Sequence, residues 1–110
     1  MDPVTEKLEA YNARDIDRFV ACYAPDATIE QGQGNVVIKG HEAMRARYGA
    51  LFDSSPNLKC RLVNWIRVGA YVIDEEKVIG YGLEGHPDRI HAAAIYRVRD
   101  DKIVHVLFLA

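Results

Sequence analysis

Cysteine is scarce in this 110-residue chain: Cys22 and Cys60 are the only two, and neither belongs to a CxxC or Cys/His ligand spacing. A disulfide framework or a thiolate metal site therefore has no support, and both residues read as small buried hydrophobes. Positive charge is not in excess either, with 14 Lys and Arg against 16 Asp and Glu and a formal net charge of -2. The basic residues are scattered, so nothing marks a footprint for a phosphate backbone or an anionic membrane, and no nucleic-acid partner is expected. No apolar run approaches the roughly 20 residues of a spanning helix. The opening Met1-Asp2-Pro3-Val4 has neither a basic nor an apolar leader region, which predicts a cytoplasmic protein with no membrane partner. The four histidines, His41, His86, His91 and His105, fall in no metal spacing, so neither a metal nor a cofactor is expected and no catalytic histidine is assigned. Repeats, linkers and low-complexity segments are also missing. With 49% hydrophobic and 27% charged residues, the chain is expected to form one domain over residues 1–110.

The patterning that is present is helical first and extended afterwards. Asp2 before Pro3 reads as an N-cap followed by proline in the first turn, and Val4, Leu8 and Tyr11 recur at i, i+4, i+7. Asp15 caps a second helix with an Ile16, Phe19, Val20 and Tyr23 stripe that ends before Pro25. Ala27 to Glu30, the turn residues Gln31 to Asn35, and Val36 to Ile38 predict a short hairpin. Gly40-His41-Glu42 opens a third helix whose Met44, Tyr48, Leu51 and Phe52 share a face until Ser54-Ser55-Pro56. Leu58 to Val68, Tyr71 to Gly80, Arg89 to Arg99 and Ile103 to Leu109 then read as four long antiparallel strands. This order predicts an α+β domain, with three N-terminal helices packed on one face of a curved, mostly antiparallel sheet.

In the last hairpin, a three-residue loop of Arg99-Asp100-Asp101 with Asp101 left-handed puts Ala92, Ala94, Tyr96, Val98, Val104, Val106 and Phe108 on one face. The opposite face carries His91, Ala93, Ile95, Arg97, His105 and Leu107. That mixed face predicts a covered surface, and a homodimer through the outer sheet face is one cover. The glycine-rich Gly80 to His86 lies between strands and opens no helix, so it reads as a mobile connection rather than a phosphate loop.

Particular strings sharpen the assignment. They are Asn12-Ala13-Arg14-Asp15-Ile16-Asp17, Tyr23-Ala24-Pro25-Asp26-Ala27-Thr28-Ile29, Lys39-Gly40-His41-Glu42-Ala43-Met44-Arg45, and the closing Ile95-Tyr96-Arg97-Val98 with Asp101-Lys102-Ile103. In this order the chain resembles the SnoaL-like and ketosteroid-isomerase-like members of the NTF2-like superfamily along nearly its whole length. The resemblance implies a cone-shaped, cystatin-like fold with a deep apolar pocket for a small apolar or polycyclic molecule. It implies an isomerase, cyclase or hydrolase using acid/base carboxylates, or a non-catalytic ligand-binding or dimerisation module, because one fold hosts many functions. The isomerase site itself is not retained. By the resemblance, its aspartate base falls on Gln31 with Glu30 beside it, its protonated aspartate on Ala94, and its oxyanion tyrosine on Lys7. Tyr23 and Tyr48 stand where some isomerases keep supporting tyrosines.

The candidate catalytic residues are Glu30 and Glu76. Glu30, at the end of the first strand, is either a base raised by apolar walls or a solvated glutamate turned away by Gln31. Asp74-Glu75-Glu76 interrupts an apolar strand; either Asp74 and Glu76 share one face as acid and base inside the pocket, or the three mark a solvated edge or turn. Tyr11, Tyr23, Tyr48, Trp65, Tyr96 and Phe108 are the candidate substrate-binding residues, suited to a flat ligand and equally to an ordinary core.

Overall fold

A computed structural model describes residues 2–110. The elements are α1 (Pro3–Ala13), α2 (Ile16–Ala21), β1 (Tyr23–Gln31), β2 (Val36–Lys39), α3 (Gly40–Ser54), β3 (Lys59–Val68), β4 (Tyr71–Ile79), β5 (Arg89–Arg99) and β6 (Lys102–Leu109). This is the expected α+β architecture of helices on a mostly antiparallel sheet. Among the described residues no helix is long and apolar enough to cross a membrane.

The helix starts follow from local chemistry. Asp2 is extended and its carboxylate accepts the Val4 backbone N–H at 2.9 Å, while Pro3 occupies the first turn, where no donor is needed. Arg14 at φ 53° ends α1 in the left-handed region, and Asp15 caps α2 by accepting from the Arg18 N–H at 3.2 Å. Pro25 ends no helix directly, because α2 already stops at Ala21 and β1 begins at Tyr23. β1 pairs with β6 at Tyr23 and again only from Thr28, so Pro25 lies in the irregular stretch where its missing N–H costs no ladder bond.

The six strands form one sheet in the order β2-β1-β6-β5-β4-β3, antiparallel except for the β1–β6 pair. The last strand of the chain is therefore central. Its hairpin corrects the expected turn: Arg99 pairs with Lys102 across a two-residue loop, with Asp100 at φ 53° and Asp101 at φ 60°. Positive φ at both central residues matches the twist of a tight hairpin. The extra residue appears instead as a bulge, since Arg97 pairs with His105 but Val98 pairs with Ile103. As a result Ile103, not Val104, takes the fully buried place, while Ala94, Tyr96 and Val106 face the core as expected.

The core lies between that face and the helices. Phe19, Tyr23, Ile29, Met44, Leu51 and Leu58 are buried in it. Around Phe19 the rings of Tyr48 (4.5 Å between centroids), Tyr23 (5.3 Å) and Phe52 (5.6 Å) stack in tilted and edge-on arrangements.

Candidate active site

The helices do not fill the space they enclose with the sheet. A cavity of about 420 Å³ remains, walled by Lys7 and Tyr11 of α1, Phe19 of α2, Tyr23, Ile29 and Gln31 of β1, Tyr48 and Leu51 of α3, and Cys60, Glu76, Val78 and Phe108 of the sheet. The wall is chiefly apolar and aromatic with a few polar groups, the usual make-up of a small-molecule site.

Helical periodicity places Lys7 and Tyr11 on one face, because residues four apart lie one above the other. Strand periodicity of two places Asp74, Glu76 and Val78 on the inner side of β4, with Glu75 outside. Glu75 accepts from the Asn64 side chain at 2.8 Å and meets His91 Nε2 at 2.6 Å. The acidic run is thus neither a turn nor an edge: β4 is paired on both sides, and its two inward carboxylates are buried, Asp74 at 3% exposure and Glu76 at 4%.

Glu76 does not stand alone. Lys7 Nζ donates to the Tyr96 hydroxyl at 2.6 Å, and that hydroxyl donates to Glu76 Oε2 at 2.9 Å. Lys7 Nζ lies 3.7 Å from the same carboxylate oxygen and 4.6 Å from the Tyr96 ring centroid. Lys7 is 5% exposed and Tyr96 fully buried. A cation, a phenol and a carboxylate therefore form a continuous hydrogen-bonded row along one side of the cavity. Burial, and then the neighbouring charge of Glu76, push the Asp74 carboxyl up to about 6. Burial likewise raises the Tyr11, Tyr23 and Tyr48 hydroxyls, which stay protonated and able to donate. The Cys60 thiol is pushed up to about 12 by burial, which makes it a wall and not a nucleophile.

The structure corrects three of the expected site residues. Glu30 is outside the cavity: its Oε2 accepts the Gly34 N–H at 2.9 Å and its Oε1 lies 3.2 Å from His105 Nε2. The Gly34 hydrogen bond, then His105, lowers its pKa instead of raising it. Alternation explains the reversal, since Ile29 and Gln31 both line the cavity and the residue between them must point the other way. Trp65 is 62% exposed; it pairs with Asp74 across the ladder, but β3 is the edge strand and is exposed from Val63 to Val68. Tyr96 is no wall residue but the bridge behind Lys7 and Glu76. The other expected residues, Tyr11, Tyr23, Tyr48, Phe108 and Glu76, line one cavity.

Lys7 is not among the candidate site residues legible in the sequence, where it appears only as the position on which an isomerase's oxyanion tyrosine falls. Its signal was position: it falls between Val4 and Tyr11 on the apolar stripe of α1, where a charged residue has to be paired or functional. Tyr81 and His86 also reach the cavity, with ring centroids 5.5 Å apart, so the glycine-rich connection forms part of the wall. That connection is held by Ser55 Oγ, which accepts the Gly82 N–H at 2.8 Å.

Among curated proteins none matches this sequence. A solved structure of an uncharacterized cystatin-fold protein from Novosphingobium aromaticivorans is similar at 30% identity and a TM-score of 0.88, covering 98% of this chain and 95% of that one. A candidate polyketide cyclase from Sinorhizobium meliloti is similar at 19% identity and a TM-score of 0.79, over 97% of this chain and 93% of that one. A protein with a ketosteroid-isomerase-like fold from Catenulispora acidiphila, solved with trimethylamine, is similar at 18% identity and 0.78, over 98% and 84%. The sequence matches the SnoaL-like domain family over residues 4–106. With that match and the cystatin-like architecture of its neighbours, the chain belongs to the SnoaL-like domain family of the NTF2-like superfamily.

Proposed function

We propose that this protein binds a small, flat, mostly apolar or polycyclic molecule in the cavity and shuttles a proton on it through Glu76. The observation that carries the reading is the buried Lys7–Tyr96–Glu76 row, whose Lys7 and Glu76 line a chiefly apolar and aromatic wall. Apolar residues of similar volume usually hold a core at least as well as a buried ion pair, so stability alone gives little reason for this row. In a site, it supplies an ammonium to hold a carbonyl or enolate oxygen and a carboxylate to take a proton from the neighbouring carbon. The cavity's volume, about 420 Å³, falls in the range of small-molecule sites, toward its lower end. Isomerisation, cyclisation and hydrolysis all draw on this proton transfer. The similar proteins under 25% identical contribute the fold and a choice of probes, not an activity.

A thermal-shift series with steroids, cyclic ketones, epoxides and polyketide-like aromatics tests the reading. A ligand at about 100 times its Kd adds roughly 2.7 kcal/mol of stability. The shift should disappear in Tyr48→Ala and persist in Glu76→Gln, whose turnover of the bound compound should fall by roughly 100-fold or more. Retained turnover in Glu76→Gln would remove this carboxylate from the chemistry.

A second reading, a module whose outer face associates with another copy of the chain, draws on a different observation. Ile66, Ile73, Ile95 and Leu107 lie directly opposite one another on β3, β4, β5 and β6, forming an apolar row on the side away from the helices. Association through that row is compatible with ligand binding, since the cavity opens on the other face.

A further inference from the structure

Proton transfer asks of Lys7 only a positive charge, yet Lys7 is one of the residues that line the cavity and the only one among them with a primary amine. We propose that Lys7 captures aldehydes and ketones covalently, as a Schiff base between Nζ and the ligand's carbonyl carbon. This rests on the reading of the cavity as a ligand site, and goes beyond it by naming the class of ligand and the bond.

Three features support the step. The first is shelter: Lys7 is 5% exposed in a chiefly apolar wall, so an iminium formed there is shielded from the water that would hydrolyse it. The second is a route for protons, because an ammonium must lose one before it can attack. Lys7 Nζ contacts the Tyr96 hydroxyl at 2.6 Å, and that hydroxyl contacts Glu76 Oε2 at 2.9 Å. The third is charge. The overall change turns an ammonium and a carbonyl into an iminium and one water, so Glu76, 3.7 Å from Nζ, faces one positive charge before and after. No unpaired buried charge is created.

The atoms balance as follows. Nζ passes one proton through Tyr96 to Glu76, and its freed electron pair forms the C–N bond as the carbonyl π pair moves to oxygen. A proton moves from nitrogen to that oxygen, leaving a neutral carbinolamine. Glu76 returns its proton to the hydroxyl, the C–O bond breaks with loss of water, and the nitrogen pair forms the C=N bond.

The chain contains its own controls, because Lys39, Lys59, Lys77 and Lys102 are all exposed. The protein is incubated with 2-naphthaldehyde and sodium cyanoborohydride, which fixes any iminium as a stable amine, and the labelled lysines are located by peptide mass mapping. Thermal shifts with 2-naphthaldehyde and with 2-naphthylmethanol, which cannot form an imine, are measured alongside. The expected result is labelling at Lys7 roughly tenfold above that at each exposed lysine. In Tyr96→Phe, Lys7 labelling should slow while the exposed lysines label as before, and Lys7→Arg should carry no label at position 7 while the exposed lysines still label. Labelling confined to the exposed lysines, with thermal shifts from both compounds, overturns the Schiff base and leaves the ligand site standing. The same labelling pattern with no shift from either compound overturns both.

Discussion

At the scale of single residues, the most consequential feature is a pair of carboxylates two positions apart on one strand and both out of water. Asp74 carries the cost, its carboxyl pushed from 3.8 to about 6 by burial and then by Glu76. The sign follows from proton counts: a raised carboxyl holds its proton in the folded protein over a pH range where the unfolded chain has released it. Stability therefore falls as pH rises from about 4 to about 6, and stays lower above that by up to roughly 3 kcal/mol. Asp74→Asn should be more stable than the parent near pH 7, with the difference closing toward pH 4. Melting midpoints across that range check it, and a gap that does not change with pH would show that the difference does not arise from ionisation of Asp74. The same residues show why a sequence could nominate Glu76 and miss Lys7. An acidic run in an apolar strand is visible in one dimension, whereas the partner of Lys7 lies 89 positions away, at Tyr96.

At the scale of elements, the connection from β4 to β5 is tied closely to the end of α3. Gly80 has φ 75°, and a Cβ there would lie 2.2 Å from the Asn57 carbonyl oxygen. Gly69, at φ 56° in the β3–β4 turn, would meet nothing within 4 Å. Both substitutions to alanine pay for the left-handed backbone, but only Gly80→Ala must also displace backbone. We expect Gly69→Ala to cost about 1 kcal/mol and Gly80→Ala roughly 2 to 4 kcal/mol, measured by urea unfolding. Equal losses would mean that the β4–β5 connection yields freely. The glycine content of this segment was legible as a connection; that Tyr81 and His86 on it help wall the cavity was not, because the anchor is Ser55, from a different part of the chain.

At the scale of the whole molecule, the sheet has one face closed by helices and one left open. The open row of Ile66, Ile73, Ile95 and Leu107 is interrupted by no charge, and Ile66 is 56% exposed. A stable dimer buries about 800 Å² per partner, an area that such a four-strand face can supply. If a second copy covers it, Leu107→Asp should convert the protein to a monomer in sedimentation velocity, and leave ligand-induced thermal shifts in place because the cavity is on the other face. A wild-type chain already monomeric at high concentration would end this reading. The central place of β6 was also not legible locally: the run of strands suggests neighbours in chain order, yet β6 lies between β5 and β1, joined to β1 by the one parallel pairing.

Local chemistry in the sequence determined the helix caps at Asp2 and Asp15, the order of helices and strands, and the inward face of β5, because each depends on neighbours within a few positions. Tertiary structure decided the site. A register one residue different would have turned Glu30 inward and Gln31 out, and only the pairing of β1 with β2 and β6 selects between them. Only the packing of α1 on the sheet, against β3 and β6, turns a lysine on a helical stripe, a tyrosine in a strand and a glutamate in an acidic run into one hydrogen-bonded row. Such a row is set by distances across the fold, and these are determined by the sum of all the packing, not by any segment that contributes to it.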